Sequence, residues 1–301
     1  MTFRLFISLI VLWVGATGFC EERVRPKLIL DADTANEIDD MYSIVRMLRQ
    51  DHFDVLGVSS AQWFHYLGDP NSVQASQKIN ESLASLLGRT DLSLPLGADR
   101  PVGKPWGGTD ARDSAAAQFI IQHAKSLPDG QQLHVVCLGA STNLASAIKL
   151  APEIAPKIKA YLMGFRYDAA KRVWNKSEFN VRRDLNAADL LLDQPDLELH
   201  IMSADVSGEL KFDRDETFRR QQTMGDLGEF LTSQWKTKFA SSKTWVMWDL
   251  AVVEALLRPE LASERQVDTP PENTPRKVWV YDHIDVKKMS DDYWRVALEG
   301  G

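Results

Sequence analysis

The chain has 301 residues, of which 44% are hydrophobic and 26% charged, enough to bury one large domain or two ordinary ones. A net charge of −7, a pI near 5.5 and the lack of any basic cluster exclude the electrostatic footprint of a nucleic-acid binder. Two cysteines, Cys20 and Cys137, cannot make a disulfide framework, and Cys137 lies in an apolar run that reads as a buried thiol.

Residues 1–20 read as a separate unit. Arg4 precedes an uncharged apolar stretch over 5–19, with small residues at Ala16 and Gly18, before the polar chain begins. Those are the parts of a secretory signal peptide, so export is expected, with cleavage near Gly18. A membrane anchor needs about 20 apolar residues and fits less well. Lipid attachment at Cys20 is the weaker reading, because bulky Phe19 stands where a small residue is wanted.

From residue 26 onward, strands and helices alternate. LILDAD (28–33) reads as a strand, IDDMYSIVRMLRQ (38–50) as a helix, FDVLGVSSAQ (53–62) as a strand and SVQASQKINESLASLLG (72–88) as a helix. A short strand is expected at LSLPLGAD (92–99), then a Gly- and Pro-rich loop and a helix over 114–127. LHVVCLGA (133–140) follows as a strand, 141–158 as one helical stretch, AYLMGF (160–165) as a strand, 185–194 as a helix and LELHIMSAD (197–205) as a strand. The rhythm predicts a single α/β domain over 26–301: an open, mostly parallel, Rossmann-like sheet flanked by helices on both faces. Ligands of such sheets bind beyond the carboxyl ends of the strands, where Asp31, Asp33 and Gly139 to Thr142 fall.

The first of these ends is crowded. Asp31, Asp33, Glu37, Asp39 and Asp40 put five acids within ten positions, where a strand gives way to a helix. A helix N-terminus welcomes one or two acids, at about 0.3–1 kcal/mol each. Five need a compensating cation or donor, and a hard divalent ion such as Ca²⁺ takes six to eight oxygens of this kind, an order of coordination typical for it.

DADTANEIDD is similar to the N-terminal aspartate motif of the nucleoside hydrolases, in a longer-spaced form. Three later segments carry the same resemblance. Gly139-Ala140-Ser141-Thr142-Asn143-Leu144-Ala145 is similar to the family's G-P-L-T-N-L-A, and Glu178-Phe179-Asn180 with Asp184, Ala187 and Ala188 to its E-F-N-x-x-x-D-x-x-A-A. Trp248-Asp249-Leu250-Ala251 stands where the family has a late aspartate before an apolar helix. The resemblance implies the nucleoside hydrolase fold, a bound Ca²⁺, hydrolysis of an N-ribosidic bond in a nucleoside or related riboside, and a homo-oligomer. It implies Asp33, Asp40, Asp249 and the backbone carbonyl of Thr142 as metal ligands, with Asp33 also the general base. Asp39 would meet the ribose 2′-hydroxyl, and Asn36, Glu178 and Asn180 the rest of the sugar. Apart from the resemblance, Thr142, Asn143 and Asp249 can be read as helix caps, and Glu178 and Asn180 as loop polars.

Two departures bear on specificity. Trp248 takes the place of a His that protonates the leaving base in many members, and stands as it does in the purine-preferring branch, where an indole stacks on the base. Trp106 is a candidate for the opposite face of the base, and Trp245 for the same mouth. Where members place an Asn after the second strand, this chain has Gln62-Trp63-Phe64-His65-Tyr66, with His65 a candidate acid or sugar contact. Two other functions compete. One is a non-catalytic ribose- or nucleoside-binding protein of the same fold. The other is a phosphatase of the haloacid dehalogenase class, with Asp31 as nucleophile and Asp33 as acid.

Overall fold

A computed structural model describes residues 25–65, 70–104 and 107–299. The leader expected over 1–20, with Cys20, and the Trp106 candidate lie outside them. Strand β1 (Lys27–Ala32) is apolar on both faces because both are covered. Leu28, Leu30 and Ala32 enter one core layer and Ile29 the other. The same alternation recurs in β3 (Leu133–Cys137) and β4 (Ile158–Met163), where Val136, Tyr161 and Met163 face the first layer and Val135, Cys137, Ala160 and Leu162 the second. Cys137 is a free, fully buried thiol, as its apolar run implies.

With β2 (Asp54–Ser60), β7 (Glu198–Met202), β10 (Ala262–Asp268) and β11 (Lys277–Ile284), these strands form a seven-stranded sheet in the order β10-β11-β7-β4-β3-β1-β2. All neighbours pair in parallel except β10, which closes the edge as an antiparallel hairpin with β11. The first face carries α1 (Asp39–Leu48), α9 (Gly225–Lys238), α10 (Trp248–Leu257) and α11 (Val286–Glu299); the second carries α3 (Ala115–Ser126), α4 (Thr142–Leu150) and α6 (Leu185–Asp193). The longest described helix, α2 (Ser72–Leu86), follows β2, and smaller elements are α5 (Phe179–Arg183), α7 (Ala204–Ser207) and α8 (Arg214–Gln221), with the short hairpins β5 (Arg166–Asp168)–β6 (Val173–Asn175) and β8 (Lys211–Asp213)–β9 (Thr244–Val246). The chain leaves β1 to one side for β2 and returns to its other side for β3, so the order reverses between β1 and β3. A crevice at such a switch point is where an open sheet takes its ligand.

Three expectations are corrected. Residues 92–99 form no named strand, only a bridge from Ser93 to Gly57. Pro95 removes a ladder donor, and Gly97 lies so close to the β2 end that an added Cβ would sit 1.8 Å from the Ser60 carbonyl. The stretch 141–158 splits: α4 stops at Leu150, and a separate 3₁₀ turn spans Pro152–Lys157 because Pro152 pushes Ala151 out of the helical region. The strand expected over 197–205 ends at Met202, and the chain turns into α7.

Candidate active site

A cleft of about 200 Å³ opens at the carboxyl ends of β1, β3 and β4. Its lining includes Asp33, Asn36, Glu37, Asp39, Asp40, Glu178, Asn180, Trp248 and Asp249. Every carboxylate and amide expected at the site from the sequence therefore meets there, with Leu138 and Met163 from the strand ends between them.

Asp33 follows β1 directly and is buried. Asp39 and Asp40 open α1, but its N-cap is Ile38 and no side chain caps the helix, so capping does not account for them. Asp249 comes from the far end of the chain, in the first turn of α10, and its N–H donates to Asp39 Oδ2 at 3.1 Å. Single carboxylate oxygens of Asp39, Asp40 and Asp249 lie within 4.8 Å of one another. Burial, partly opposed by hydrogen-bond donors, raises Asp39 to about 6, and burial with repulsion from Asp39 pushes Asp40 to about 7. Asp33 and Asp249 are raised for the same reasons. Asp33 Oδ2 and Asp40 Oδ1 are buried without a hydrogen-bond partner. Converging, oxygen-only donors with orphaned buried atoms fit a hard divalent cation.

Two residues that hold this acid loop were missed at the sequence level. Lys238, the last residue of α9, donates Nζ to the carbonyls of Ala35 at 2.7 Å, Glu37 at 3.1 Å and Thr34 at 3.4 Å. Burial lowers its pKa, while Asp40, Asp33, Glu37 and Asp39 work to keep it charged, so it is the standing counter-charge of the loop. Gly139, beyond β3, touches Asp33: an added Cβ would lie 2.7 Å from Asp33 Cγ and Oδ1. Gly139→Ala is therefore expected to displace the Asp33 carboxylate and lower kcat about 100-fold. Steady-state kinetics beside thermal melts check this; a variant that melts lower yet keeps its kcat would show Gly139 to be a packing residue only.

The EFN segment forms the start of α5. Glu178 is its N-cap, accepting from the N–H groups of Asn180 at 3.0 Å and Val181 at 3.1 Å, and it still lines the cleft. Asn180 Nδ2 donates to the carbonyls of Leu138 at 2.6 Å and Met163 at 3.2 Å, which pins the amide across two strand ends. Glu37, the additional acid of the long-spaced motif, also lines the cleft, its pKa pushed up to about 8 by burial and by Asp39, Asp40 and Glu178.

Other residues serve behind the cleft. Thr142 is fully buried, is not among the described lining residues, and donates its hydroxyl to Asp184 Oδ2 at 2.7 Å. Asn143 ties Asp31 Oδ1 to the Ala98 N–H and the Ser114 hydroxyl, so neither residue caps α4 with its side chain. Gln62 bonds Thr142 Oγ1 and the Arg183 carbonyl, fixing the β2 end to α4 and α5. Asp31 is fully buried, accepts from Ser59 and Asn143, and does not reach the cleft lining, so the phosphatase reading loses its nucleophile. Trp248 is half-buried and lines the cleft. Trp245 packs against Phe239, ring centroids 3.7 Å apart and tilted by 33°, and neither it nor exposed His65 is among the described lining residues.

A doubly wound α/β sheet with a cluster of buried carboxylates at its switch point defines a protein with a cleft for a polar small molecule. The sequence profile of the inosine-uridine preferring nucleoside hydrolases matches residues 28–291, and the chain belongs to that family. A probable uridine nucleosidase 1 of rice, Oryza sativa subsp. japonica, is 24% identical over 235 residues, covering 71% of this chain and 69% of the rice protein. A purine-preferring ribonucleoside hydrolase from Gardnerella vaginalis shares the fold with a TM-score of 0.68 at 20% identity, over 91% of this chain and 98% of that one. So does the type III effector XopQ, solved with adenosine diphosphate ribose, with a TM-score of 0.73 at 14% identity over 92% and 95% of the two chains.

Proposed function

We propose that the protein is a Ca²⁺-dependent hydrolase of ribonucleoside N-glycosidic bonds that releases a free base and ribose, with a preference for purines. The observation that carries this reading is the convergence of Asp33, Asp39, Asp40, Glu178 and Asp249 on one cleft with Asn180 and Trp248. Asp33, Asp40 and Asp249 would hold the ion, and Asp39 stands close enough to Asp40 and Asp249 to share in it; the resemblance adds the backbone carbonyl of Thr142, a residue buried behind the cleft and not among its described lining residues. A bound calcium would supply the positive charge that acidifies and orients a water. Asp33 takes the proton of the attacking water as general base. Asp39 accepts from the 2′-hydroxyl, while Asn36, Glu178 and Asn180 fix the rest of the sugar. Positive charge grows on the sugar as the bond breaks, and the surrounding carboxylates favour it. A 2′-deoxy sugar would leave Asp39 without its partner and be a poor substrate. Export rests on the basic, apolar and small residues in order over 1–20.

The test is reducing-sugar release from inosine, adenosine, guanosine, uridine and 2′-deoxyinosine, with calcium and with chelator. Calcium-dependent release from the ribosides, weak from the deoxy compound, is expected. Trp248→Ala should cost purine substrates about tenfold in kcat/KM through lost stacking and leave pyrimidines less affected; an equal loss on both would remove the stacking role. Trp248 standing in the place of a His, and the fold shared with an effector solved with adenosine diphosphate ribose, favour a second reading as a non-catalytic ribosyl binder. Tight calcium binding with no release from any of the five would select it.

A further inference from the structure

The cleft is charged in two ways, and the chemistry above uses only one of them. Asp33, Glu37, Asp39, Asp40 and Asp249 come from the loop after β1 and the starts of α1 and α10, with Trp248 beside them. Strand β5, the loop between β6 and α5, and α5 itself add a different set: Arg166, Ser177 and Arg182. Both arginines are exposed, at the mouth, and among the described residues neither pairs with a carboxylate of the cleft.

Their positions are built rather than incidental. Phe165, fully buried, takes a left-handed φ of 62°, a conformation that bulky residues avoid. Its carbonyl accepts from the Ala204 N–H, and the turn delivers Arg166 to the cleft. Asp205 then grips the next two residues, accepting from Arg166 Nη1 at 2.5 Å and from the Tyr167 N–H at 3.2 Å. One nitrogen of Arg166 is thereby fixed, and the rest of the fork remains for a ligand. Arg182 lies in α5, one turn beyond the N-cap Glu178, and its N–H donates to the Glu178 carbonyl at 3.0 Å, which fixes its backbone beside the cleft that both residues line.

We infer that the preferred substrate is a ribonucleoside phosphorylated at the 5′ position, with Arg166 and Arg182 as the residues that select it. This rests on the proposed hydrolysis and its placement of the sugar. With C1′ over Asp33 and the base on Trp248, C5′ leaves the ring on the side away from the base. A substituent there extends past Glu178 toward the mouth that Arg166, Ser177 and Arg182 share. A 5′-hydroxyl needs no cation, whereas a 5′-phosphate entering an acidic cleft needs countercharge, and arginine forks fit phosphate oxygens best. In the reaction the C1′–N bond breaks, a C1′–O bond forms to the oxygen of water, and a proton of that water passes to the base. The products are free base and ribose 5-phosphate.

The experiment compares kcat/KM for inosine with inosine 5′-monophosphate and 5′-diphosphate, and uridine with uridine 5′-monophosphate, in the intact protein and in Arg166→Ala, Arg182→Ala and the double variant. The monophosphates should be favoured about tenfold or more, mostly through KM, and the advantage should shrink with added salt. A diphosphate that outruns the monophosphate would place the recognised group within a longer phosphoryl chain. In the double variant the ratio of monophosphate to nucleoside should fall to near one, and Arg182→Lys should recover part of it. Equal use of both substrates by the intact protein, or a loss in the variants that is the same for both, overturns the inference and leaves nucleoside hydrolysis standing. If no substrate is cleaved, it is the hydrolase reading that has failed. Calorimetry of ribose 5-phosphate against ribose then still decides: about tenfold tighter binding that the double variant abolishes supports the arginines, and equal binding overturns them.

Discussion

At saturating calcium, Asp33→Asn is expected to lower kcat for a hydrolysable nucleoside by about 1,000-fold while the protein still folds, because it removes the proposed base as well as one proposed ligand of the ion. The substitution is isosteric, so the close contact with Gly139 is kept. No hydrogen-bond partner of Oδ2 is lost, since that atom has none in the folded chain. A charge leaves a neighbourhood where Asp40, Glu37 and Asp39 already repel it, so the folded state is spared a strain rather than given one. What goes is an oxygen able to accept a proton and to hold the proposed ion, and saturating calcium separates the first loss from the second. Asp31, two residues earlier, supplies the contrast: it is equally buried, yet both Ser59 and Asn143 donate to it and it does not reach the cleft. Single-turnover kinetics with circular dichroism would settle the role of Asp33. A folded Asp33→Asn protein retaining more than about a tenth of the rate would show that another group takes the proton.

How much of this was legible in the sequence depended on the range of each interaction. The acid loop announced itself because like charges crowd where an apolar run stops, and the order of the later segments carried Glu178, Asn180, Trp248 and Asp249, whereas Arg166, Ser177 and Arg182 had no pattern to mark them. The strands of the sheet were read from continuous apolar runs, which β1, β3 and β4 have because both faces are covered. The stretch 92–99 mimics that alternation, but Pro95 and Gly97 adapt it to a close loop packing instead. Strand β11 went unread because Asp282 and His283 interrupt its apolar alternation, although it pairs with β7 in the sheet. Lys238 had a signal that was overlooked. Leu227, Leu231 and Trp235 form the buried stripe of α9, and Lys238, three residues on, prolongs that stripe toward a site that must contain acids. The contact of Gly139 with Asp33 had no signal, since a glycine after a strand has many ordinary uses and only the fold shows what presses on it. Nor did sequence reveal that Glu178 caps α5 while facing the cleft, so that one carboxylate meets both readings offered for it.

Asp249→Asn should move two measurements in opposite directions. Without calcium, the variant is expected to melt higher than the parent at neutral pH. Asp39, Asp40 and Asp249 hold their oxygens within 4.8 Å, and folding raises all three above the ordinary carboxylate value of 3.8. An acid raised by folding binds more protons folded than unfolded, so it costs stability once the pH passes the unfolded value, and costs most above the raised one. The gain from removing Asp249 should therefore be present at neutral pH and vanish below about pH 4, where the unfolded carboxylates are protonated too. With calcium the order reverses. The backbone N–H that Asp249 donates to Asp39 survives the change, but one charged ligand does not, and affinity should fall about 100-fold. At a concentration that is 100 times the parent Kd, calcium would stabilise the parent by about 2.7 kcal/mol and the variant by only a few tenths. Melting curves across pH, each with calcium and with chelator, read both effects in one protein. Unchanged curves in every condition would reduce Asp249 to an ordinary acid in the first turn of a helix. A rise in chelator combined with a lost response to calcium is the pattern of a carboxylate kept in place by a cation, at a cost to the unliganded fold.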